Sequence, residues 1–466
     1  MIYSSGPLDY PPDKTLTQIL LDTNLNSTPS NKPAIVDGPT GKVAYTYRSF
    51  RDGVNKLAAW LHETYKTKQG MTVAILMTNT ELAHALSLAQ PDLVIVDRTL
   101  VRELRAAIDQ SKALSPERSP SLRLWDEIDI AAILTTETAS KIPLQAEHSA
   151  ESTAFVCFSS GTTGPVKGVR LSHRNMVANM FQHRQGLQGD FDEHSVFVLV
   201  LPFFHILGLG VFACQYMLQG YPIVVFPRLD FAGLITSIKR DRVTHINVVP
   251  TLALKLIRNP ITARGDFSTV KCLMNAAAPL KQELSDQVSQ RLGCVITQWY
   301  GMTEAKPQRD FSESNADPYC SPGQAGELCI RGPNIMQGYV RPEGIMSSAT
   351  TDDFMRTGDI GYADKEGYVY LVDRAKEMIK VKGHQVAPAE IEAILLSHPS
   401  VEDAAVKGVY SDHDATELVV AFITTAVPPS QQNVLKQDLH QLVNGKVAKY
   451  KRMSGGLRII QKIPRK

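Results

Sequence analysis

The stretch SSGTTGPVKG, at Ser159–Gly168, contains three glycines, four hydroxyl side chains and one lysine in ten positions. Glycine lets the backbone turn its N–H groups toward a single point, the hydroxyls add hydrogen-bond donors, and Lys167 adds a full positive charge. Such a loop predicts a site for a phosphate group or a similar anion. A flexible surface loop is the alternative, because glycine and serine are also typical of unstructured connections.

The segments on either side of this loop predict regular structure. STAFVCF, at Ser152–Phe158, predicts a short buried strand, and LSHRNMVANMFQH, at Leu171–His183, predicts a helix with Ser172 as its N-cap. A strand, a glycine-rich loop and a helix together form an arrangement that binds phosphates at the helix N-terminus. The pattern differs from the P-loop of common nucleotide triphosphatases, since Gly168 stands where that motif requires serine or threonine.

The composition describes an ordinary globular protein of about two or three domains. The chain has 466 residues, of which 43% are hydrophobic and 21% charged, and its net charge is +2. We therefore expect no nucleic-acid partner and no binding to an anionic membrane. The six cysteines are scattered without metal-ligand spacing, which favours reduced thiols in an intracellular, cytosolic protein. A peroxisomal location is the alternative, although the chain shows no C-terminal peroxisomal signal.

One apolar segment, Val196–Leu218, is long enough to be mistaken for a membrane span. Pro202, His205 and two glycines interrupt it, so it predicts a buried strand, a turn and a core helix instead. Its GLGVFA hexapeptide matches the dinucleotide-binding fingerprint, but these glycines do not follow a strand directly. We therefore expect neither a membrane-spanning segment nor a nucleotide cofactor here.

Apolar runs typical of strands alternate with helical patterns along most of the chain. The predicted strands are Thr72–Met77, Leu93–Val96, Ile223–Phe226, His245–Val249 and Cys272–Asn275, and the predicted helices include Leu57–Tyr65, Val101–Ile108 and Leu280–Arg291. This alternation predicts an α/β fold, with a large N-terminal domain of layered, mostly parallel sheets and flanking helices. From Asp373 onward, a compact run of strands and two helices predicts a separate small α+β domain.

Several motifs stand in a fixed order along the chain. They are SSGTTGPVKG (159–168), LPFFHILGL (201–209), AAAPL (276–280), YGMTEA (300–305), GELCIRGPNIMQGY (326–339), RTGDIGY (356–362) and DRAKEMIKVKGHQVAPAEIE (373–392). In this order they resemble the adenylate-forming (AMP-binding) superfamily, and within it the branch of 4-coumarate–CoA ligases and fungal acyl-CoA ligases. The resemblance implies an N-terminal adenylation domain at residues 1–373, a hinge at 374–376 and a small C-terminal domain at 377–466.

The resemblance implies a two-step reaction that uses ATP, Mg²⁺ and coenzyme A. A carboxylate attacks the α-phosphate of ATP to give an acyl-adenylate and pyrophosphate, and the thiol of coenzyme A then displaces AMP. Adenylation turns a poorly leaving oxygen into a phosphate leaving group, so the protein has to hold ATP in line and neutralise developing charge. The implied enzyme is an acid–thiol ligase of the acyl-CoA synthetase type, in acyl or secondary metabolism.

Residues that match the family's motifs imply where ATP binds. The implied catalytic residues are Lys167, Thr303, Glu304 and Lys382, with Glu304 holding Mg²⁺, a hard cation suited to carboxylate oxygen. The implied ATP-binding set is Ser159, Ser160, Gly161, Thr162, Thr163, Gly164, Lys167, Ala277, Thr303, Asp359 and Arg374. In this set the loop residues would grip the β- and γ-phosphates, and Asp359 would accept hydrogen bonds from the ribose.

The remaining implied residues belong to the acyl pocket and to the coenzyme A side. The implied acyl pocket contains His205, Leu207, Val211, Ala276 and Trp299, and the implied hinge and coenzyme A residues are Lys376, Lys382, Gly383 and Gln385. For His205, a core histidine is the alternative. Trp299 and Ala276 stand where the family commonly has glycine, so we expect a shortened pocket that prefers a compact acid.

The chain departs from the family's pattern at three places. An α/β unit is missing after Ala89 and Gln90, and only residues 306–321 remain where the family has a longer segment. The chain also stops at Lys466, before the family's terminal lysine, which predicts slow adenylation. Three functions therefore stay open: an acid–thiol ligase, an adenylating enzyme that serves a separate carrier protein or other pathway enzymes, and an impaired or non-catalytic homologue.

Overall fold

The structure is a computed structural model. It describes residues 8–68, 70–76, 82–112, 120–136, 149–159, 167–187, 189–277, 280, 282–305, 314–316, 322–341, 350–351, 354–365, 368–374, 377–381, 384–411, 414 and 416–464.

Strands and helices alternate along these ranges. In chain order the strands are β1 (Pro33–Asp37), β2 (Val43–Thr46), β3 (Val73–Leu76), β4 (Leu93–Val96), β5 (Ser121–Leu124), β6 (Thr153–Ser159), β7 (Lys167–Ser172), β8 (Phe197–Leu199), β9 (Ile223–Val225), β10 (His245–Val248), β11 (Cys272–Asn275), β12 (Val295–Gln298), β13 (Ser314–Ala316), β14 (Gly326–Ile330), β15 (Gly338–Val340), β16 (Thr350–Thr351), β17 (Phe354–Ala363), β18 (Val369–Arg374), β19 (Ile379–Val381), β20 (His384–Val386), β21 (Asp403–Ser411), β22 (Thr416–Thr424) and β23 (Leu457–Ile459). The α-helices are α1 (Tyr47–Tyr65), α2 (Leu82–Ala89), α3 (Val101–Lys112), α4 (Ile130–Thr135), α5 (His173–Gly186), α6 (Met217–Gln219), α7 (Phe231–Arg240), α8 (Pro250–Arg258), α9 (Gln282–Leu292), α10 (Pro388–Leu396) and α11 (Gln432–Lys446). Two π-helical segments are Gln18–Asp22 and Leu207–Tyr216, and short 3₁₀ turns are Arg98–Leu100, Trp125–Glu127, Pro260–Arg264, Pro429–Gln431 and Lys449–Lys451.

The largest sheet in the described chain has seven strands in the order β12-β11-β10-β8-β9-β1-β2. Its neighbouring strands run parallel except for β1 and β2, which form an antiparallel pair at one edge. Parallel strands that are covered on both faces are buried along their length, as β8 and β10 are. The predicted α/β fold is therefore confirmed, and Leu93–Val96 and Cys272–Asn275 have the predicted bounds. The prediction of mostly parallel sheets holds for this sheet and for β3-β4-β5, but the sheets β15-β7-β6 and β13-β14-β17-β16, to which β18 adds, are antiparallel.

The helix predicted at Leu171–His183 is confirmed as α5, but the strand β7 stands between it and the glycine-rich loop, which corrects the predicted order of strand, loop and helix. β6 pairs antiparallel with β7, and the register places Ser159 opposite Lys167. Val169 and Leu171 on β7 are fully buried, and their burial favours a central strand over a helix. Helix α5 begins beyond β7 with Ser172 as the predicted N-cap. Its N-terminus therefore lies about 20 Å, one strand length, from the loop.

Two predictions about buried segments have different outcomes. The strand before the loop is less buried than expected, because β6 lies at the edge of the three-stranded sheet β15-β7-β6. Cys157 is its one buried residue. The segment Val196–Leu218 folds as predicted, with β8, a turn and the helical segment from Leu207 onward. No helix within the described residues is long and apolar enough to cross a bilayer.

A separate parallel sheet near the N-terminus contains β3, β4 and β5. Helix α2 connects β3 to β4 and ends at Ala89, where the sequence predicts a missing unit. Gln90 has a positive φ of 42°, so the chain turns at once toward β4. The junction is thus closed by a short connection, which completes a βαβ unit.

The C-terminal elements pack around a core of their own. β21, β22 and β23 form one sheet, β19 and β20 form a hairpin, and α10 and α11 pack on them. Ile391, Leu395, Val419 and Leu439 are fully buried in this core. The mixed pairing, antiparallel between β21 and β22 and parallel between β22 and β23, is that of a small α+β unit.

One side chain of the large N-terminal part reaches this smaller unit. Arg258, the last residue of α8, donates hydrogen bonds to the backbone oxygens of Leu396 (2.8 Å), His398 (3.2 Å) and Val401 at the end of α10. The last carbonyl groups of a helix have no partner within the helix, and a cation there also complements the helix dipole. The guanidinium group thus joins the two parts through a helix C-terminus.

Candidate active site

Glu304 lies in the turn that follows β12, and it is only 6% exposed. Ser159 Oγ, at the end of β6, donates a hydrogen bond to Glu304 Oε1 over 3.0 Å, and Tyr339 OH donates to the same oxygen over 2.9 Å. Lys167 Nζ lies 4.6 Å from the centre of the Tyr339 ring. The structure thus brings together three predicted residues, Ser159, Lys167 and Glu304, and adds Tyr339 to them.

Backbone contacts hold this turn against β15, the strand that carries Tyr339. The amide of Met336 donates to the backbone oxygen of Glu304 over 2.9 Å, and the residue after Glu304 forms a β-bridge to the segment before β15. β15 in turn pairs with β7, which begins at Lys167. Three distant stretches of sequence therefore meet at the base of the glycine-rich loop.

Hydroxyl donors fix the Glu304 carboxylate without neutralising its charge. Burial and the nearby Glu304 charge raise the pKa of Tyr339, so its hydroxyl stays protonated and donates. Mg²⁺ is usually held by one or two carboxylates together with phosphate oxygens and water, and a fixed carboxylate suits it. In the part of the chain that the structure describes, no group of three or more His, Cys, Asp or Glu could hold a metal ion by itself. The donor set therefore fits a metal that arrives with phosphate.

A second polar cluster lies on β17 and β18. Their register places Asp359 opposite Arg374, and Arg374 Nε lies 3.2 Å from Asp359 Oδ1. Tyr300 OH, from the segment after β12, donates a hydrogen bond to Asp359 Oδ2. Burial and, after it, the Asp359 charge raise the pKa of Tyr300, so the phenol remains the donor. An ionised carboxylate has about four acceptor positions, so Asp359 can still accept hydroxyl groups of a ribose.

Thr303 and Ala277 lie in the turns that follow β12 and β11. Thr303 directly precedes Glu304 and is half-buried. Ala277 has a φ of 71°, in the left-handed region that costs an L-residue roughly 1–2 kcal/mol. The amide of Leu280 donates to Gln298 Oε1 over 2.8 Å, which ties this turn to the end of β12. Backbone in such strained conformations is concentrated at functional sites.

Four of the five predicted acyl-pocket residues belong to one hydrophobic cluster. They are Leu207, Val211, Ala276 and Trp299, and none is more than 5% exposed. The first two lie on the π-helical segment, a geometry that is frequent at functional sites, and the others follow β11 and β12. His205 is exposed, and its Nδ1 accepts a hydrogen bond from the Leu207 amide over 3.2 Å. The alternative of a core histidine at this position is therefore wrong.

Three residues of these clusters were not among the predicted site residues. Tyr300 and Tyr339 stand inside motifs, but a tyrosine beside a strand is typical of ordinary sheet packing, so the sequence gives no further signal. His183 lies on α5, and its ring packs edge-on against Trp299 with the centroids 4.6 Å apart. No local sequence pattern singles out His183.

Other predicted residues lie outside the described part of the chain. They are Ser160, Gly161, Thr162, Thr163, Gly164, Lys376, Lys382 and Gly383. Gln385 lies in β20, where the register places it opposite Lys380.

Two sequence families match this chain. The AMP-binding enzyme family matches residues 77–309, and the family of the AMP-binding enzyme C-terminal domain matches residues 390–466. The "Probable 4-coumarate–CoA ligase 1" of Dictyostelium discoideum is 30% identical over 520 aligned positions, which cover 97% of this chain and 93% of the relative. This alignment is longer than the chain, so that relative contains stretches without a counterpart here.

A second relative and a solved structure agree with these matches. The 4-coumarate–CoA ligase 2 of Oryza sativa subsp. japonica is 36% identical over 327 positions, 64% of this chain and 57% of the relative. The o-succinylbenzoate coenzyme A synthetase of Bacillus subtilis, solved in complex with ATP and magnesium ion, has a TM-score of 0.72 at 22% identity. The superposition covers 97% of this chain and 96% of that one, and it concerns the fold.

Proposed function

This chain belongs to the AMP-binding enzyme family, and from that membership we propose that it is an acyl-CoA ligase for a compact carboxylic acid. In the first step a carboxylate oxygen bonds to the α-phosphorus of ATP and pyrophosphate leaves. In the second step the thiolate sulfur of coenzyme A bonds to the acyl carbon and AMP leaves.

The cluster around Glu304 is the observation that carries the proposal. In this cluster, Ser159 and Tyr339 donate hydrogen bonds to one oxygen of the buried Glu304 carboxylate. Lys167, the residue that follows the glycine-rich loop, lies over the Tyr339 ring. Glu304 would hold Mg²⁺, which neutralises phosphate charge when it is bound. Lys167 would contact the outgoing pyrophosphate, and Thr303 the α-phosphate. The metal held by Glu304 and the positive charge of Lys167 would together lower the cost of the negative charge that develops on the phosphates during the transfer.

The cluster around Asp359 would bind the nucleoside part of ATP. Asp359 is held by Tyr300 and Arg374, so its carboxylate is oriented before the ribose arrives. Ala277 would line the adenine with its backbone. Orientation of this kind converts part of the binding energy into alignment of the α-phosphate with the attacking carboxylate.

The hydrophobic cluster around Trp299 supports the proposal that the substrate is a compact acid. Trp299 fills space beside Ala276, and its indole Nε1 donates to Thr297 Oγ1 over 3.2 Å, so the ring is held in place. A long acyl chain would have to displace this ring. Leu207, Val211 and the exposed His205 would form the rest of the acyl side.

The second step would use the C-terminal part of the chain. Lys376 would act as the hinge between a domain at residues 1–373 and one at 377–466, and Lys382, Gly383 and Gln385 would serve thioester formation. The contact of Arg258 with the end of α10 supports one defined placement of the smaller domain. We place this reaction in the cytosol, since the described cysteines are free thiols.

ATP–pyrophosphate exchange against a panel of short and aromatic carboxylic acids tests the first step. At least one compact acid should support exchange, and Glu304→Gln should lower the Mg²⁺-dependent rate about ten- to a hundredfold, because one charged ligand is lost. Glu151→Gln is the matched control, since Glu151 is exposed and pairs with Arg174. Its rate should stay within about twofold of the wild type.

Adding coenzyme A tests the acceptor. Thioester formed at the rate of exchange supports the ligase. Exchange without thioester would favour transfer to a separate carrier protein. Absence of exchange with every acid, although ATP binds, would favour an impaired or non-catalytic homologue and would overturn the proposed reaction.

A further inference from the structure

His183 is a buried polar residue on the helix that packs against the acyl side of the site. It lies one helical turn before Leu187, which belongs to the same hydrophobic cluster as Trp299. The His183 residue is 3% exposed, and its ring meets the Trp299 ring at an angle of 66°. The imidazole therefore lies against the Trp299 edge of this hydrophobic cluster.

Neither ring nitrogen of His183 has a hydrogen-bond partner among the described residues. Buried polar groups in native proteins nearly always have a partner, because leaving one unpaired costs about 1–3 kcal/mol. Burial lowers the pKa of His183 to about 3, so the ring is neutral at physiological pH. A neutral imidazole offers one N–H donor and one acceptor nitrogen.

Trp299, which contacts the His183 ring, does not use this capacity. The Trp299 indole is committed to Thr297 Oγ1, and the other members of the cluster nearest the proposed acyl site, Leu207, Val211 and Ala276, are apolar. His245, the other buried histidine of this region, differs because Thr244 Oγ1 lies 2.8 Å from its Nδ1. Of these two buried histidines, His183 is the one without a hydrogen-bond partner, and it is also the one whose ring contacts Trp299 of the proposed acyl pocket.

We propose that His183 is a specificity-determining residue that hydrogen-bonds an uncharged hydroxyl group carried by the acyl part of the substrate. The inference rests on the proposed function and names a class of acid for it, a compact hydroxylated acid. A hydroxyl can both donate and accept, so it satisfies either nitrogen of the ring. A charged group would lose its hydration beside the buried rings of His183 and Trp299, so the proposal names an uncharged hydroxyl.

Pairs of acids that differ by one hydroxyl test this inference, with 4-coumarate against cinnamate and 3-hydroxybutyrate against butyrate as probes. The wild type should favour the hydroxylated member of at least one pair about tenfold or more in kcat/KM for pyrophosphate exchange. His183→Leu should bring that ratio close to one, and His183→Gln should retain part of it. His245→Leu, a matched change of a buried and already bonded histidine, should leave the ratio unchanged.

Equilibrium binding separates this inference from the proposed function. Sulfamoyl-adenosine mimics of the same acyl-adenylates are titrated calorimetrically, and the ¹⁵N shifts of the His183 ring are followed by NMR. The hydroxylated mimic should bind more tightly to the wild type and should shift the ring signals, whereas the deoxy mimic should not. Equal binding of both mimics, or an unchanged ratio in His183→Leu, overturns the inference and leaves the ligase intact. Failure of ATP and of every mimic to bind overturns the proposed function itself.

Discussion

At the residue scale, two hydroxyl groups hold the Glu304 carboxylate in place. Glu304 accepts from a serine and a tyrosine, and neither donor carries charge. A lysine or arginine in their place would fix the carboxylate equally well but would cancel the charge that attracts a cation. Lys167 instead lies over the Tyr339 ring, so the positive charge stays near the carboxylate without pairing with it.

Replacing Tyr339 by phenylalanine tests this arrangement. The ring beneath Lys167 stays, but one hydrogen bond to Glu304 is lost, so we expect Mg²⁺-dependent ATP binding to weaken about three- to tenfold. Binding is measured calorimetrically at several Mg²⁺ concentrations. Tyr362→Phe is the control, because Tyr362 is an exposed tyrosine stacked on Tyr370. Equal weakening with and without Mg²⁺ would show that the hydroxyl does not act through the metal site.

The sequence predicts the charged members of both clusters but not their tyrosine partners. Glu304 and Asp359 stand in short motifs whose spacing resembles the family's, so they can be named before the structure is seen. Tyr339 reaches Glu304 only because β15 pairs with β7, a contact between residues that are far apart in sequence. His183 is buried by tertiary packing against Trp299, which no local pattern on α5 reveals.

At the element scale, the glycine-rich loop is the connection of a hairpin and not the entrance to a helix. Glycine, serine and lysine are compatible with both arrangements. Which of the two forms depends on whether the residues from Lys167 onward pair as a strand in a sheet, as β7 does with β6. β7 pairs with β6 on one side and with β15 on the other, and this pairing decides for the strand. Anion binding there would rest on loop amides and Lys167, with little help from the dipole of α5.

Gly208, in the π-helical segment Leu207–Tyr216, allows a second prediction at the element scale, about the turn that precedes this segment. Gly208 packs against the turn before it, since a Cβ there would come within 2.2 Å of the backbone oxygen of Pro202. Gly208→Ala should therefore destabilise the protein by about 1–3 kcal/mol and displace the turn that carries His205. Thermal unfolding by scanning calorimetry gives the sign and the size.

Gly445 in α11 is the matched control for that change. A Cβ at Gly445 would meet no atom within 4 Å, so Gly445→Ala should stabilise its helix by up to about 1 kcal/mol. The two glycine replacements are thus expected to have opposite signs. A stabilised Gly208→Ala would mean that the turn at Pro202 moves freely and does not position the acyl side.

At the scale of the whole molecule, the side chain of Arg258 connects the two parts of the chain. Arg258 ends α8 in the large part and fills the C-terminus of α10 in the small part. Each of these three hydrogen bonds joins a carbonyl oxygen to the charged guanidinium group. Removing the Arg258 side chain breaks all three.

Arg258→Ala should loosen the small unit from the large one. Hydrogen–deuterium exchange in peptides that span α10 and β21 should become at least about tenfold faster, because hydrogen bonds to a charged group contribute about 1.5–3 kcal/mol. Arg264→Ala, an exposed arginine six residues further on, serves as the control. If the two variants exchange alike, Arg258 does not hold the units together.

Acid should destabilise the whole molecule through its buried histidines. Burial lowers the pKa of His183 to about 3 and that of His245 to about 4, whereas unfolded histidine titrates near 6.5. Below pH 6.5 the unfolded chain binds protons that the folded chain does not, so the free energy of unfolding falls as pH falls. Each histidine contributes about 1.4 kcal/mol per pH unit, or about 2 kcal/mol between pH 6.5 and 5.

His183→Leu should remove its share of this slope. Unfolding is followed by calorimetry from pH 7 to pH 5, and the variant should lose less stability over this interval than the wild type. His194→Leu, at an exposed position, should keep the wild-type slope. Parallel pH profiles for wild type and His183→Leu would contradict a neutral, buried imidazole.

The order of strands in the largest sheet has a consequence for how the chain is made. β1 ends at Asp37, but its parallel neighbour β9 begins at Ile223, so the two leave the ribosome at widely separated times. At about 5–20 residues per second, the interval is roughly 10–40 s. Until then β1 has only β2 beside it, and an isolated two-stranded hairpin is marginal in water. During this time the nascent chain offers an apolar strand edge to chaperones, and pausing of translation before codon 223 should increase both chaperone binding and aggregation.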